Sequence, residues 1–125
     1  AKIVIGDLPV IRGYETYIRL LFQNLLSNAI KFKRENSIHE IKITFSETEK
    51  EWTFSVKDNG IGIEEKDLDQ VFVIFKRLNN ATLYKGYGIG LAHCRKIVKM
   101  HHGEIHVKST FGQGSRFTFT ISKSI

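Results

Sequence analysis

A chain of 125 residues, 42% apolar and 26% charged, is of ordinary globular composition, large enough for one cored domain and too apolar for disorder. No apolar run approaches the ~18 residues of a membrane span, the start Ala1-Lys2-Ile3-Val4 is no signal peptide, and the lone Cys94 excludes a disulfide framework or a cysteine-built zinc site. The expectation is one cytoplasmic domain over 1–125, with a formal net charge of +6 that suits a polyanionic ligand.

Residues 3–5 form a short β-like run, closed by Gly6-Asp7 and Pro9. Over 14–33 apolar side chains recur at Ile18, Leu21, Leu25, Ala29 and Phe32, the spacing of an amphipathic helix. Residues 38–45 and 52–56 alternate apolar and polar, which predicts paired strands around a turn near Glu49-Lys50. A short helix is expected over 64–71, with Glu64, Glu65 and Asp67 complementing its dipole. Residues 76–87 show no period and read as a loop. A second long helix is predicted over 88–102, ended by Gly103, followed by strands over 104–108 and 115–121 around a Phe111-Gly112-Gln113-Gly114 turn. Helices covering one face of a mostly antiparallel sheet make an α+β fold.

Two glycine-spaced loops carry the chemistry: Asp58-Asn59-Gly60-Ile61-Gly62, and Gly86-Tyr87-Gly88-Ile89-Gly90-Leu91. Glycines at alternate positions leave main chain uncovered, so a flat base or a polyphosphate can approach it. Asp58-Asn59-Gly60 is also an ordinary hairpin signal, but Ile61-Gly62-Ile63 leads into an acidic helix start rather than a second strand. A carboxylate at the end of a buried strand can accept a hydrogen bond from adenine's exocyclic amine. The second loop opens a helix whose free N–H groups form an anion site. Neither a dinucleotide fingerprint nor a Walker sequence is present. At about 100° per residue, Asn24, Asn28 and Lys31 fall in one stripe at the border of the first helix's apolar face. A carboxamide oxygen there suits Mg²⁺ and a lysine suits phosphate, while the same three residues alone also read as a solvent side. Lys31, Lys33, Arg34, Lys76, Arg77 and Lys85 are expected beside the glycine loops, around the pocket, whereas Lys42, Lys57, Lys108 and Lys123 read as solvated surface. No basic run is interleaved with aromatics, so nucleic acid is not the expected partner.

These residues resemble the ATP-binding catalytic domain of sensor histidine kinases, in the gyrase, heat-shock chaperone, histidine kinase and mismatch-repair superfamily. Phe22-Gln23-Asn24-Leu25-Leu26-Ser27-Asn28-Ala29-Ile30-Lys31-Phe32 resembles the N box, and 58–62 the first glycine box. Phe72 to Phe75 with Lys76-Arg77-Leu78 resembles the phenylalanine box, 86–91 the second glycine box, and Gly112-Gln113-Gly114-Ser115 with Phe117 and Phe119 the closing segment. The Asp7-Leu8-Pro9 entry and Phe75-Lys76-Arg77-Leu78 are most similar to the bacteriophytochrome-type subgroup.

The resemblance implies a two-layer α/β sandwich of the Bergerat type, a mixed but mostly antiparallel sheet covered on one face by helices, binding ATP and Mg²⁺ beneath a lid over 76–87. It implies Asn28 on the metal, Asn24 and Lys31 on phosphates, and Asp58 on the adenine amine. Gly60, Gly62, Ile63, Phe72 and Thr118 would shape the nucleotide pocket. Arg77 or Lys85 would reach the γ-phosphate, and Gly86, Gly88, Ile89, Gly90 and Leu91 would cradle the phosphates. Asn28, Lys31 and Arg77 would be the catalytic set, since phosphoryl transfer rests on positioning and charge neutralisation.

The implied partners are a dimerisation and phosphoacceptor domain, from which this chain looks cut away, and a response regulator receiver domain. No nucleic acid or membrane insertion is implied, and the parent kinase would be a cytoplasmic or membrane-anchored homodimer. The alternatives are a nucleotide-binding module without transfer, or another ATPase or kinase of the superfamily. Tyr87, His93 and His102 depart from the usual residues, and His101-His102 reads as a pair of helix-end histidines rather than a metal site. His39-Glu40-Ile41-Lys42 superficially resembles a phosphoacceptor sequence, but its β-branched continuation marks a strand.

Overall fold

The computed structural model describes residues 2–5, 13–31, 38–70 and 87–123. Five strands form one sheet in the order β1-β2-β3-β5-β4: β1 (Lys2–Ile5), β2 (Glu40–Glu47), β3 (Glu51–Asp58), β4 (Ile105–Thr110) and β5 (Gly114–Ser122). β1 runs parallel to β2, and every other pairing is antiparallel. Two helices, α1 (Glu15–Lys31) and α2 (Tyr87–Met100), pack against each other and share the core with one face of the sheet. This is the expected α+β sandwich.

The strand alternation creates this one-sidedness. Ile41, Ile43, Phe54, Val56, Ile105, Phe117, Phe119 and Ile121 are buried, while their immediate neighbours on the strands are polar. From the helices, Leu21, Leu25, Ala29, Leu91, Cys94, Ile97 and Val98 complete the core. Phe54 and Phe119, opposite one another in the β3–β5 ladder, stack at 5.3 Å, and Phe22 of α1 meets both edge-on at 5.7 and 5.5 Å. Full burial of such side chains contributes roughly 1.5–3 kcal/mol each.

Several predicted boundaries move. α2 begins at Tyr87, so this residue belongs to the helix and not to a loop; the rest of the predicted 76–87 lid lies outside the described residues. α2 also stops at Met100, earlier than expected, and the left-handed residue after it is His102, at φ 60°. Gly103 answers a different need, because a Cβ there would sit 1.8 Å from the Thr120 carbonyl oxygen. The short helix near 64–71 is a 3₁₀ helix, Glu65–Gln70, with Glu65 and Asp67 in its first turn as expected and Asp67 buried. Ile38 precedes β2 and is exposed, so that strand starts at Glu40; β3 runs past Val56 to Asp58.

The histidines separate by environment. His101 is wholly buried, its Nδ1 2.8 Å from the Ile97 carbonyl and its Nε2 accepting the Tyr14 N–H at 3.1 Å. With both nitrogens engaged by backbone, it serves the fold, and among the described residues no cluster of three or more metal-ligating side chains exists. His93 is exposed on α2, and His39 stands immediately before a strand, as the β-branched sequence after it required. No helix among the described residues is long and apolar enough to cross a membrane.

Candidate functional site

Asp58 ends the central strand β3, between Ile41 of β2 and Ser115 of β5. Its carboxylate sits on the helix-covered side, in phase with Phe54 and Val56, and is almost fully buried. Burial pushes its pKa up from 3.8 to about 6; the Gly60 N–H, at 2.8 Å from Oδ1, and the Ser115 N–H pull the other way. The acid is therefore ionised at neutral pH yet held in a desolvating position, a state that favours a hydrogen-bond donor from a ligand.

The loop after Asp58 is pinned on both sides. Asn59 Oδ1 accepts the Glu40 N–H at 2.7 Å and its Nδ2 donates to the Ile38 carbonyl at 2.7 Å, tying the loop to β2. Towards β4 and β5, Gly112 N–H donates to the Ile61 carbonyl at 2.6 Å, and Ile63 N–H donates to Ser109 Oγ at 2.7 Å. Ser109 Oγ also lies 2.9 Å from both the Gly114 carbonyl and Ser115 Oγ. Neither Asn59 nor Ser109 was singled out for a role by sequence; only the helix-side phase of Ser109 after Ile105 and Val107 hints at it.

Gly62 has a structural demand of its own. At φ 74° it occupies the left-handed region, and a Cβ would come within 2.3 Å of the Thr110 carbonyl oxygen. Ile63 behind it is fully buried, as is Leu91 in the first half of α2.

On α1, Asn28 is buried and Asn24 half-buried, so these two residues of the predicted stripe do not read as a solvent side. Asn24 Nδ2 is a buried donor without an oxygen acceptor among the described residues, and its side chain faces the Cys94 sulfur, a weak acceptor. Burial raises that thiol to about 12, and it points at the Leu21 carbonyl, 3.8 Å away. Cys94 is thus a protonated core residue and no nucleophile. Lys31 closes α1, and Gly88, Ile89 and Gly90 fall in the first turn of α2, where N–H groups lack intrahelical partners; these four are described by backbone alone. Phe72, Arg77, Lys85 and Gly86 lie outside the described residues.

Thr118 requires a correction. It is one residue out of phase with the buried Phe117 and Phe119, and its hydroxyl meets Ser55 Oγ at 3.2 Å on the sheet face away from the helices. Strand alternation denies it a place beside Asp58. The residue of β5 that does stand there is Ser115.

Residues 13–125 match the family described as histidine kinase-, DNA gyrase B- and HSP90-like ATPases, and the chain belongs to it. More narrowly, it is a histidine kinase-type catalytic domain that binds ATP. It is 47% identical to cyanobacterial phytochrome A of Nostoc sp. (strain PCC 7120) over 97% of this chain, and 42% identical to the adaptive-response sensory kinase SasA of Gloeothece citriformis over 92%. The chain spans only 16% and 29% of those relatives. Among solved structures, the nucleotide-free catalytic domain of histidine kinase ThkA superposes with a TM-score of 0.77 at 30% identity, covering 97% of this chain and 78% of that one. Full-length ShkA in complex with AMPPNP gives 0.80 at 26% identity, covering 99% and 26%.

Proposed function

We propose that this chain binds Mg²⁺-ATP and supplies its γ-phosphoryl group to a histidine on a separate dimerisation domain, within a cytoplasmic two-component kinase. The observation that carries the reading is Asp58: a buried acid, ionised near neutrality, at the end of the central strand with its loop braced from two sides. Such a carboxylate accepts a hydrogen bond from adenine's amine and repels the carbonyl that guanine presents there. A charge-assisted bond of that kind is worth roughly 1.5–3 kcal/mol, or about 10–150-fold in affinity.

The α1 side fits a triphosphate. Asn24 Nδ2 is a buried donor with only the weakly accepting Cys94 sulfur beside it, and a phosphate oxygen would be a stronger partner. Asn28, one helical turn on, would hold Mg²⁺ through its carboxamide oxygen, with Lys31 beyond it on the phosphates. When bound, the metal neutralises phosphate charge. The first-turn amides of α2 at Gly88, Ile89 and Gly90 would meet the phosphates from the opposite end, and Arg77 or Lys85 would supply a cation to the γ-phosphate. Transfer itself needs an acceptor imidazole, which the dimerisation domain would bring; a receiver domain would then take the phosphoryl group.

Calorimetric titration with AMPPNP, with and without Mg²⁺, tests the site. Asp58→Ala is expected to lose adenine selectivity over guanine, and Asn28→Ala to lose the metal dependence while keeping the base. Equal affinities in parent and both variants would remove the assignment. Transfer of labelled γ-phosphate to a supplied acceptor domain then separates a kinase from a nucleotide-binding module without transfer.

A further inference from the structure

The sheet face away from the helices carries a feature that nucleotide binding does not use. Lys42 of β2 stands opposite Lys57 of β3, Lys57 opposite Arg116 of β5, and Arg116 opposite Lys108 of β4. All four are exposed, and none forms an ion pair among the described residues. At about 4.8 Å per strand gap, the row is roughly 14 Å long. Like charges directly opposite one another destabilise a sheet, so this alignment opposes folding and needs another cause.

The surroundings narrow that cause. The next row is Thr44, Ser55, Thr118 and His106, and beyond it lie Ser46, Thr53 and Thr120. On these four strands, then, the face presents no apolar side chain and a single aromatic ring, the His106 imidazole. An anionic membrane would gain charge attraction without anything to insert, and single-stranded nucleic acid, which stacks successive bases on several rings, would find only His106. A duplex would meet a flat surface with no helix or ribbon to enter a groove. Lys57, Arg116 and Lys108 also line a hollow of about 280 Å³ with Gln113, Asp58 and Ser115 on its wall. Carboxylates spaced three or four residues apart on a helix recur every 5–6 Å or so, which matches the cation spacing and lets one side chain drop into the hollow.

From this charge complementarity we infer that the open sheet face is a docking site for an acidic helix of a partner protein, seated along the row Lys42–Lys57–Arg116–Lys108. The inference stands on the row itself and not on the nucleotide reading: the four cations point away from the helix-covered face, and only the end of the hollow reaches Asp58.

The test uses a fluorescent helical peptide with four Glu residues at three-to-four spacing on one face, and a Gln counterpart, in anisotropy titrations at 50 and 200 mM salt. The Glu peptide is expected to bind, to weaken about tenfold or more at the higher salt, and to lose at least tenfold in the double variant Lys57→Glu/Arg116→Glu. The charge-matched control Lys50→Glu/Lys96→Glu, away from the row, should change affinity less than twofold. Lys57→Thr/Arg116→Thr guards against misfolding; it should also lose the peptide, while its Tm rises as the cation repulsion is relieved. Equal losses in row and control variants, equal binding of the Gln peptide, or no binding of the Glu peptide would overturn the proposal. So would tighter capture by phosphatidylserine vesicles or duplex DNA than by the Glu peptide.

Discussion

Asp58 and Ser115 are direct partners in the β3–β5 ladder, the last residue of one strand facing the second of the other. The pairing sets the acid's depth. Ser115 lends its backbone N–H to the carboxylate, and its hydroxyl is bound to Ser109, which also receives the loop at Ile63. A shift of one residue in this register would carry the acid to the open face, since strand side chains alternate.

Keeping Asp58 ionised in that position costs stability, and removing the charge should show it. The rise from 3.8 to about 6 corresponds to a net cost of roughly 3 kcal/mol for the ionised acid at neutral pH, desolvation less its two backbone hydrogen bonds. Asp58→Asn loses part of the backbone hydrogen bonding, so a net gain of about 1–2 kcal/mol is expected for the unliganded domain at pH 8. The sign follows from linkage: a raised carboxyl pKa gives stability that is present below the unfolded value and lost as pH rises through the folded one. The advantage of Asp58→Asn over the parent should therefore shrink as pH falls from about 6 towards 4. Urea denaturation at pH 8 and pH 4.5 measures it, and an unchanged or reversed difference would contradict the assigned environment. The same variant should lose adenine binding by about 10–150-fold.

Ligand binding should titrate with the same group. Only the ionised acid is a full acceptor for an exocyclic amine, so affinity for adenosine, which has no phosphates to titrate, is expected to be flat above pH 7. It should fall below about pH 6, approaching tenfold per unit. A profile level from pH 7.5 to 5 would place base recognition elsewhere.

The fold was largely legible because its periods are clean: Leu21, Leu25 and Ala29 mark a buried helix face, and Phe54 and Val56 a strand ending in an acid. What escaped depended on contacts between distant residues. Gly103 looked like a helix stop, whereas it is small because Thr120 crosses it; His102 takes the left-handed position instead. Thr118 belonged to a matching segment, yet its phase puts it on the wrong face. Lys42, Lys57 and Lys108 read as separate surface charges, and only register aligns them with Arg116. Asn59 and Ser109 brace the loop through partners no local pattern specifies.

Glycines in the loop and the hairpin should differ sharply when replaced. Gly62 and Gly112 both have positive φ, 74° and 86°, so alanine strains the backbone at each by roughly 1–2 kcal/mol. At Gly112 the added Cβ meets nothing within 4 Å, and the backbone term is all that is expected. At Gly62 it would approach the Thr110 carbonyl oxygen to 2.3 Å, forcing the loop off the hairpin. Gly62→Ala should cost ~3 kcal/mol or more, as overpacking adds to strain. Denaturant midpoints for the two variants decide this; similar losses would mean that the loop yields freely.

His101 joins the end of α2 to the beginning of α1, and its tautomer is dictated by its neighbours. Nδ1 faces a carbonyl, which only accepts, so it carries the hydrogen; Nε2 faces the Tyr14 N–H, which only donates, so it must be bare. Nitrogen-15 spectra should therefore show the Nδ1–H tautomer. His101→Phe keeps the ring volume and the edge contact with Tyr14, whose ring lies 5.4 Å away, but leaves the Tyr14 amide and the Ile97 carbonyl without this partner. A loss of about 1–3 kcal/mol is expected, since the Tyr14 bond is only partly buried and the Ile97 carbonyl keeps the His101 N–H. The Tyr14 amide should exchange with solvent faster in the variant by a larger factor than the amides of β3 and β5. Uniform acceleration would instead assign His101 a packing role alone.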